Sequence, residues 1–363
     1  MKTVSAAAAA NAETGVRRPA DPPVHMNARV LAVMSNGQRR VAYEIGTRLG
    51  LAQIVPPGFA TSGIKGHLWE QFVLPLRARR QLLWSPSTSA PVLLRRQVVT
   101  IHDIAFVDVP QFFSPSFARL YQRLTAAVVG RAAHIVAVSN FTRDRLIQHY
   151  RLDPDRVTCI HCASSDAFFE RPTAEVDRVL AAYGLQGVPY VVGFLGNDPR
   201  KNAGRLIDAW RAVNEHGMAG KLVLFGRVSN PRVFAGGASM QAHDSIVLAG
   251  AVSDEDLACL FTGSRAFVFP SLYEGFGLPV VEAARCGARI VSSSVTSLPE
   301  VSPPGSVLVD PYQVDQIAAA IRQMLAEPDN EAARAARIAA SRIFDWAVAA
   351  SRYQALFSRL SGA

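Results

Sequence analysis

Cysteine is scarce in this chain, with four in 363 residues, at positions 159, 162, 259 and 286. So few cysteines exclude a disulfide-stapled scaffold, and reduced thiols packed as small apolar side chains are the expectation. Cys159-Ile-His161-Cys162 has the C-x-x-C spacing of zinc and redox sites. No second close pair accompanies it, and Thr158-Cys-Ile reads as the end of a buried strand. Runs of 18 apolar residues are also missing, which excludes a helix that spans a bilayer. Histidines do not cluster with metal-ligand spacing. The most acidic stretch, Asp254-Glu255-Asp256, opens a helical pattern and fits stabilisation of a first helical turn better than a metal site.

Acidic residues are in short supply only in the first half. Residues 1–171 hold 21 Lys and Arg against 11 Asp and Glu, a net +10, while residues 172–363 hold 17 against 18, a net −1. Much of the excess lies in Arg77, Arg79, Arg80, Arg95 and Arg96, interleaved with Leu74, Leu76, Leu82, Leu83, Trp84, Leu93 and Leu94. A basic, apolar surface of this kind suits an anionic lipid headgroup or an acidic acceptor, and Arg77, Arg79 and Arg80 are the residues expected to face a membrane. A plain solvated surface and nucleic acid are the competing readings. No nucleic-acid module is visible and the second half is neutral, so nucleic acid is not expected as a partner.

What is present is a long β–α alternation. Apolar segments from Val30–Val33 to Ser306–Val309 read as short strands, and helical patterns fall between most of them. Alternation of this kind predicts parallel sheets with right-handed crossovers and ligands beyond the carboxyl ends of the strands. His102, Ser139, Gly196, Glu274 and Gly275 all fall just after expected strands. Residues 1–26, with the Ala6–Ala10 run and Asp21-Pro-Pro, read as a disordered tail and not as a signal peptide. A break between Phe169 and Pro189 separates two domains, expected at 27–170 and 171–343.

The most informative segment is Ser271-Leu-Tyr-Glu274-Gly-Phe-Gly-Leu-Pro-Val-Val-Glu282. Phe267-Val-Phe269 before it reads as a buried strand, and Pro279 suits the first turn of a helix. Gly275 and Gly277 let the backbone approach a ligand closely, and the free amides of the helix start favour an anionic phosphate. Glu274 and Glu282 then suit hydroxyls on either side of that phosphate. Arg200-Lys201, at a strand-to-helix turn, suits the negative charge of a leaving phosphate, although such a pair can also be an ordinary basic turn. His102 alone reads more readily as a structural histidine, and Ser139 equally as a helix N-cap or a ligand contact.

Glu274-x7-Glu282 within EGFGLPVVEA resembles the donor motif of the retaining glycosyltransferases of family 4. Thr100-Ile-His102-Asp103, Ala137-Val-Ser139-Asn-Phe-Thr-Arg, Gly196-Asn-Asp-Pro-Arg200-Lys201-Asn202 and Gly37-Gln-Arg-Arg-Val-Ala-Tyr-Glu resemble further segments of that family, in the family's order. Two departures stand out. Asn197 occupies a place where the family often has Arg, and Cys162-Ala-Ser replaces its usual N-G-V.

The resemblance implies a GT-B fold, two Rossmann-like domains facing across a cleft, with residues 344–363 crossing back to the first domain. It implies a nucleotide sugar held by Gly37, Arg200, Lys201, Val252, Glu274, Gly275, Phe276, Gly277, Leu278 and Glu282. His102, Lys201 and Glu274 would be catalytic, His102 by contact with the transferred sugar, and Ser139 would lie on the acceptor side. No metal or other cofactor is implied. Within the family the chain looks most like bacterial polysaccharide-assembly enzymes, including α-mannosyltransferases that use GDP-mannose and a polyprenyl-diphosphate-linked acceptor at the cytoplasmic face of the membrane. A nucleotide-sugar epimerase and a sugar-binding module without turnover are the alternatives.

Overall fold

The computed structural model describes residues 24–32, 37–215, 217–226 and 244–362. Residues 1–23 of the expected tail and Val33 of the expected first strand lie outside them. Two six-stranded sheets, each with all its strands parallel, form the frame. The first comprises β1 (His25–Asn27), β2 (Ala52–Ile54), β3 (Leu83–Ser85), β4 (Gln97–Ile101), β5 (His134–Ala137) and β6 (Val157–Cys159), in the order β2-β1-β3-β4-β5-β6. The second comprises β7 (Tyr190–Phe194), β8 (Lys221–Phe225), β9 (Ile246–Gly250), β10 (Ala266–Phe269), β11 (Ile290–Ser293) and β12 (Val307–Val309), in the order β12-β11-β10-β7-β8-β9. Strands β4, β5, β10 and β11 are buried along their whole length, as helices on both faces of a parallel sheet require. The order reverses between β1 and β3 in one sheet and between β7 and β10 in the other. Those two crevices are where an open parallel sheet binds ligands.

The first strand corrects the expectation. It is His25–Asn27, so the sheet begins inside the stretch assigned to the tail, and residues 30–32 of the expected strand fall in a 3-10 turn, Ala28–Ala32. The Asn27 side chain causes the change. Its amide donates to buried Glu70, and its oxygen accepts from the Arg29 N–H, a local turn that ends the strand.

A second difference concerns the basic, apolar segment. Gly63–Leu68 and Leu74–Ala78 are α-helical and are joined by a π-helical turn, Trp69–Val73. Gly63, Gly66 and Pro75 hide this helix in the sequence. Leu74, Leu82, Leu83 and Trp84 are fully buried, so they belong to the core and not to a docking surface. The exposed large apolar residues of this segment are Ile64, Leu68, Phe72, Val73, Leu76 and Leu93.

The C-terminal helix Trp346–Ser361 returns to the first sheet. The Tyr353 ring lies 5.2 Å from that of Trp84, and its hydroxyl is 2.9 Å from Thr100 Oγ1. No helix among the described residues is long and apolar enough to cross a membrane.

Candidate active site

At the second sheet's crevice, the loops after β7 and β10 are locked into one unit. Asp198 accepts from the Arg200 N–H and starts the turn Pro199–Lys201. Asn202 follows in the left-handed region, φ 59°, and its buried amide donates to the carbonyls of Pro270 and Pro311. The Arg200 carbonyl accepts from Leu272 N–H and Ser271 Oγ. This lattice holds Lys201 Nζ 2.6 Å from Glu274 Oε1.

Every residue from Ser271 to Gly277 is buried. Their carbonyls are tied from behind: Ser293 Oγ donates to Ser271 O, and Ser297 Oγ reaches Glu274 O and Phe276 O. Gly277 adopts φ 101° and turns the chain into the helix Leu278–Arg285. Gly275 meets the first domain directly: a Cβ there would lie 1.8 Å from the His102 carbonyl oxygen. Only glycine lets the two loops approach this closely.

Glu282 lies on the first turns of that helix, where Arg40 Nη1 approaches to 2.7 Å. The other end of the same guanidinium holds Asp254 at 2.9 Å. Burial pushes the Glu282 carboxyl up to about 7, with Arg40 opposing the shift. The sequence left Asp254 on a solvated helix start and did not single out Arg40. The fold carries both to the cleft, Arg40 from the helix Gly37–Arg48 of the first domain. Only the neighbouring Gly37 gave a signal for Arg40.

On the facing wall, the His102 ring is half-buried and its Nε2 donates to Pro86 O at 2.9 Å. Burial holds its pKa below the usual value. The ring is therefore neutral, with Nδ1 left to accept.

Ser139 is fully buried. It caps the helix Asn140–Tyr150, the one of its two open readings that the geometry displays, and donates to Gly275 O at 2.6 Å, so it fastens the seam between the domains and does not line the cleft. Glu300 fastens the same seam. Its carboxylate accepts from the Asn140 and Phe141 amides and pairs with His161 Nε2 at 2.6 Å. Burial alone would raise its pKa, but these bonds hold it low. Tyr273 completes the seam, its hydroxyl donating to Asp108 at 2.9 Å. Neither Glu300 nor Tyr273 carried a sequence signal.

An interdomain cavity of about 1000 Å³ results, and Gly37, His102, Arg200, Lys201, Val252 and Glu274–Leu278 line it together with Glu282. Arg200, like Arg40, is engaged by carboxylates. It makes a paired contact with Asp198, 2.7 Å at the shorter, and lies 3.7 Å from Asp103. Asp103 and Arg200 also line a second cavity of about 310 Å³ in the first domain. Arg77, Arg79 and Arg80 are exposed, away from both cavities.

One grouping with metal-ligand atoms occurs among the described residues: Cys159, His161 and Glu300, within 4.8 Å of one another. These three do not line the cleft, the carboxylate is already engaged by His161, and burial pushes the Cys159 thiol up to about 12. All four cysteines are free and buried.

Comparison with known proteins agrees with this geometry. The family model of group 1 glycosyl transferases matches residues 178–342, and that of Glycosyltransferase Family 4 matches residues 81–164. The O-antigen chain mannosyltransferase B of Escherichia coli is 35% identical over 267 residues, covering 72% of this chain and 70% of that protein. The serotype-specific mannosyltransferase WbdA of the same species is 30% identical over 254 residues, 68% of this chain but only 31% of WbdA. The crystal structure of HepE from Anabaena in complex with UDP superposes with a TM-score of 0.74 at 16% identity, over 93% of this chain and 99% of that one, which shows the shared GT-B fold.

Proposed function

The chain belongs to glycosyltransferase family 4, and on that premise we propose that it transfers mannose from GDP-mannose, with retention of configuration, to a polyprenyl-diphosphate-linked glycan in bacterial O-antigen or exopolysaccharide assembly. The mannosyltransferases among its relatives support mannose and the O-antigen setting. The observation that carries the chemistry is the pairing of Lys201 with Glu274 at 2.6 Å beside the start of the helix Leu278–Arg285.

With donor in the cleft, Lys201 neutralises the β-phosphate, assisted by the Gly275–Leu278 amides, and Glu274 accepts from hydroxyls of the donor sugar. Glu282 takes a ribose hydroxyl in place of Arg40. As the bond from the anomeric carbon to the phosphate oxygen breaks, the acceptor oxygen bonds to that carbon from the same face. The acceptor proton passes to the departing phosphate. No carboxylate need act as a covalent nucleophile in this front-face route. Neutral His102 contacts the transferred sugar. Fixed cations neutralise the leaving group, so no divalent metal is required.

The acceptor's lipid places the enzyme on the inner face of the cell membrane, and the first domain suits that position. Ile64, Leu68, Phe72 and Leu76 are exposed at four-residue intervals. In an unbroken α-helix such a row drifts around the axis, and the π-turn Trp69–Val73 counters the drift. The row ends at exposed Arg77, Arg79 and Arg80, which match an anionic lipid surface.

The test combines donor, acceptor and membrane. Purified protein is supplied with GDP-, UDP-, ADP- and dTDP-sugars and lipid-linked acceptor in anionic or neutral vesicles. We expect transfer from GDP-mannose alone, an α-linked product, preference for anionic vesicles and full activity in EDTA. Nucleotide release without acceptor, or transfer from another nucleotide sugar only, would overturn the reading.

A further inference from the structure

The smaller cavity lies at the first sheet's own crevice. Arg29 and Val30 follow β1, and Ser87, Thr88 and Ser89 follow β3, so the cavity opens where the strand order reverses. One wall is aromatic. The rings of Phe113 and Phe117 stack at 5.5 Å, those of Phe117 and Tyr121 at 4.3 Å, and Phe106 leans on Tyr121 at 5.9 Å. Ser87, Thr88 and Asp103 add polar groups to the lining.

The cations at its edge are already balanced. Arg29 pairs at 2.7 Å with Glu70, which is almost wholly buried and also accepts from Ser89 Oγ. Arg200 is held by Asp198 and lies with its guanidinium 5.2 Å from the Phe113 ring centroid. With Arg29 matched by Glu70, and Arg200 by Asp198, the lining carries little net positive charge, which suits a neutral ligand. A lining that combines stacked aromatic rings with hydroxyls and a carboxylate matches one chemistry well: a pyranose, with an apolar C–H face and a rim of hydroxyls.

From this juxtaposition we propose that the cavity binds one pyranose ring of the acceptor glycan, its C–H face on Phe113 and Phe117 and its hydroxyls on Ser87, Thr88 and Asp103. The inference rests on the glycosyltransferase reading and deepens it. Asp103 and Arg200 line both cavities, so a ring seated here projects a hydroxyl towards the donor cleft. The diphosphate of the lipid carrier lies beyond this subsite. Phe113 and Phe117 are thus residues that select a sugar as acceptor, and Arg200 marks the boundary between the two substrates.

Ligand-observed saturation-transfer NMR on the GDP-loaded full chain tests the proposal, with methyl α-mannopyranoside, short manno-oligosaccharides and their gluco and galacto counterparts as probes. We expect saturation along one C–H face of a sugar. Calorimetry should show about tenfold weaker binding of that sugar in Phe113→Ala and in Phe117→Ala. Phe117 is 39% exposed, so its truncation leaves the core intact, and Phe117→Trp should retain sugar binding. GDP affinity should be the same in all three variants. Equal sugar affinity in the wild type and both alanine variants, no saturation from any probe, or displacement of the sugar by inorganic diphosphate would each overturn the subsite. Failure of the wild type to bind GDP, with aromatic-dependent sugar binding intact, would instead strike the donor reading and leave this one standing.

Discussion

The two crevices of this molecule are built from different materials. At the β7–β10 crevice, backbone carbonyls are pinned by Ser271, Ser293, Ser297 and Asn202, and charged side chains meet within 3 Å. At the β1–β3 crevice, stacked rings and hydroxyls share one lining, and the neighbouring helix shows bare apolar side chains to solvent. A phosphate leaving group needs charge held at a fixed place, which rigid loops supply without reorganisation. A glycan carried on a lipid needs a broad, partly apolar surface and tolerates a looser fit. The net charges of the halves, +10 and −1, follow the same division.

Lys201→Ala should break the donor side most severely. Charge on the β-phosphate grows as the bond to the sugar breaks, so the lost cation matters more in the transition state than in the bound donor. We expect kcat to fall about a hundredfold or more, with GDP affinity changed far less. A variant with nearly normal turnover and only a raised KM would remove Lys201 from the leaving-group role, and the fixed-charge side of the comparison with it.

The reasons why one side was more legible follow from the same difference. Fixed positions near phosphate require particular residue types at close spacing, so EGFGLPVVE and Asp198-Pro-Arg-Lys201 announced themselves in a line of text. The strand pattern was legible too, because parallel strands buried on both faces are continuous apolar runs. The seam was not. Glu300, Tyr273, Arg40 and Asp254 meet partners 160, 165, 242 and 214 residues away, and no local pattern encodes such meetings. The helix Gly63–Ala78 was hidden by its glycines and proline, and because its outward row is apolar, against the usual pattern of a surface helix. Ser139 stayed open in the sequence because a cap and a ligand contact both call for a hydroxyl after a strand.

Glu282 offers the intermediate effect. Glu282→Ala removes a hydrogen bond between a charged group and a ribose hydroxyl, and about 1.5–3 kcal/mol of GDP affinity should go with it. Unchanged affinity by calorimetry in a folded variant would contradict the ribose assignment. The same carboxyl makes a prediction for stability. Its folded pKa is raised from 4.5 to about 7 by burial, so between those values the folded state keeps a proton that the unfolded state has lost. Its contribution to stability therefore falls as pH rises through that window. Glu282→Gln should flatten this part of the melting-temperature profile, and an unaltered slope would show that Arg40 keeps the carboxyl ionised throughout.

The smallest effect is expected on the acceptor side, one charge at a time. Each Lys or Arg near an anionic membrane contributes about 1 kcal/mol, because exposed charges are screened within a Debye length. Replacing Arg77, Arg79 or Arg80 singly by Gln should lower partitioning onto anionic vesicles by about that amount, roughly fivefold, and more weakly as salt is raised. Phe72→Ser, in the middle of the exposed row, should lower it in a salt-independent way, since the loss there is of apolar burial in the bilayer. GDP binding should stay intact in all four variants, because Lys201, Glu274 and Glu282 belong to the other domain. Equal flotation of the wild type and every variant would leave the exposed row without a membrane role. Reduced GDP binding in the arginine variants would show that the two sides are not independent, and the division between a fixed donor wall and a docking acceptor domain would fall.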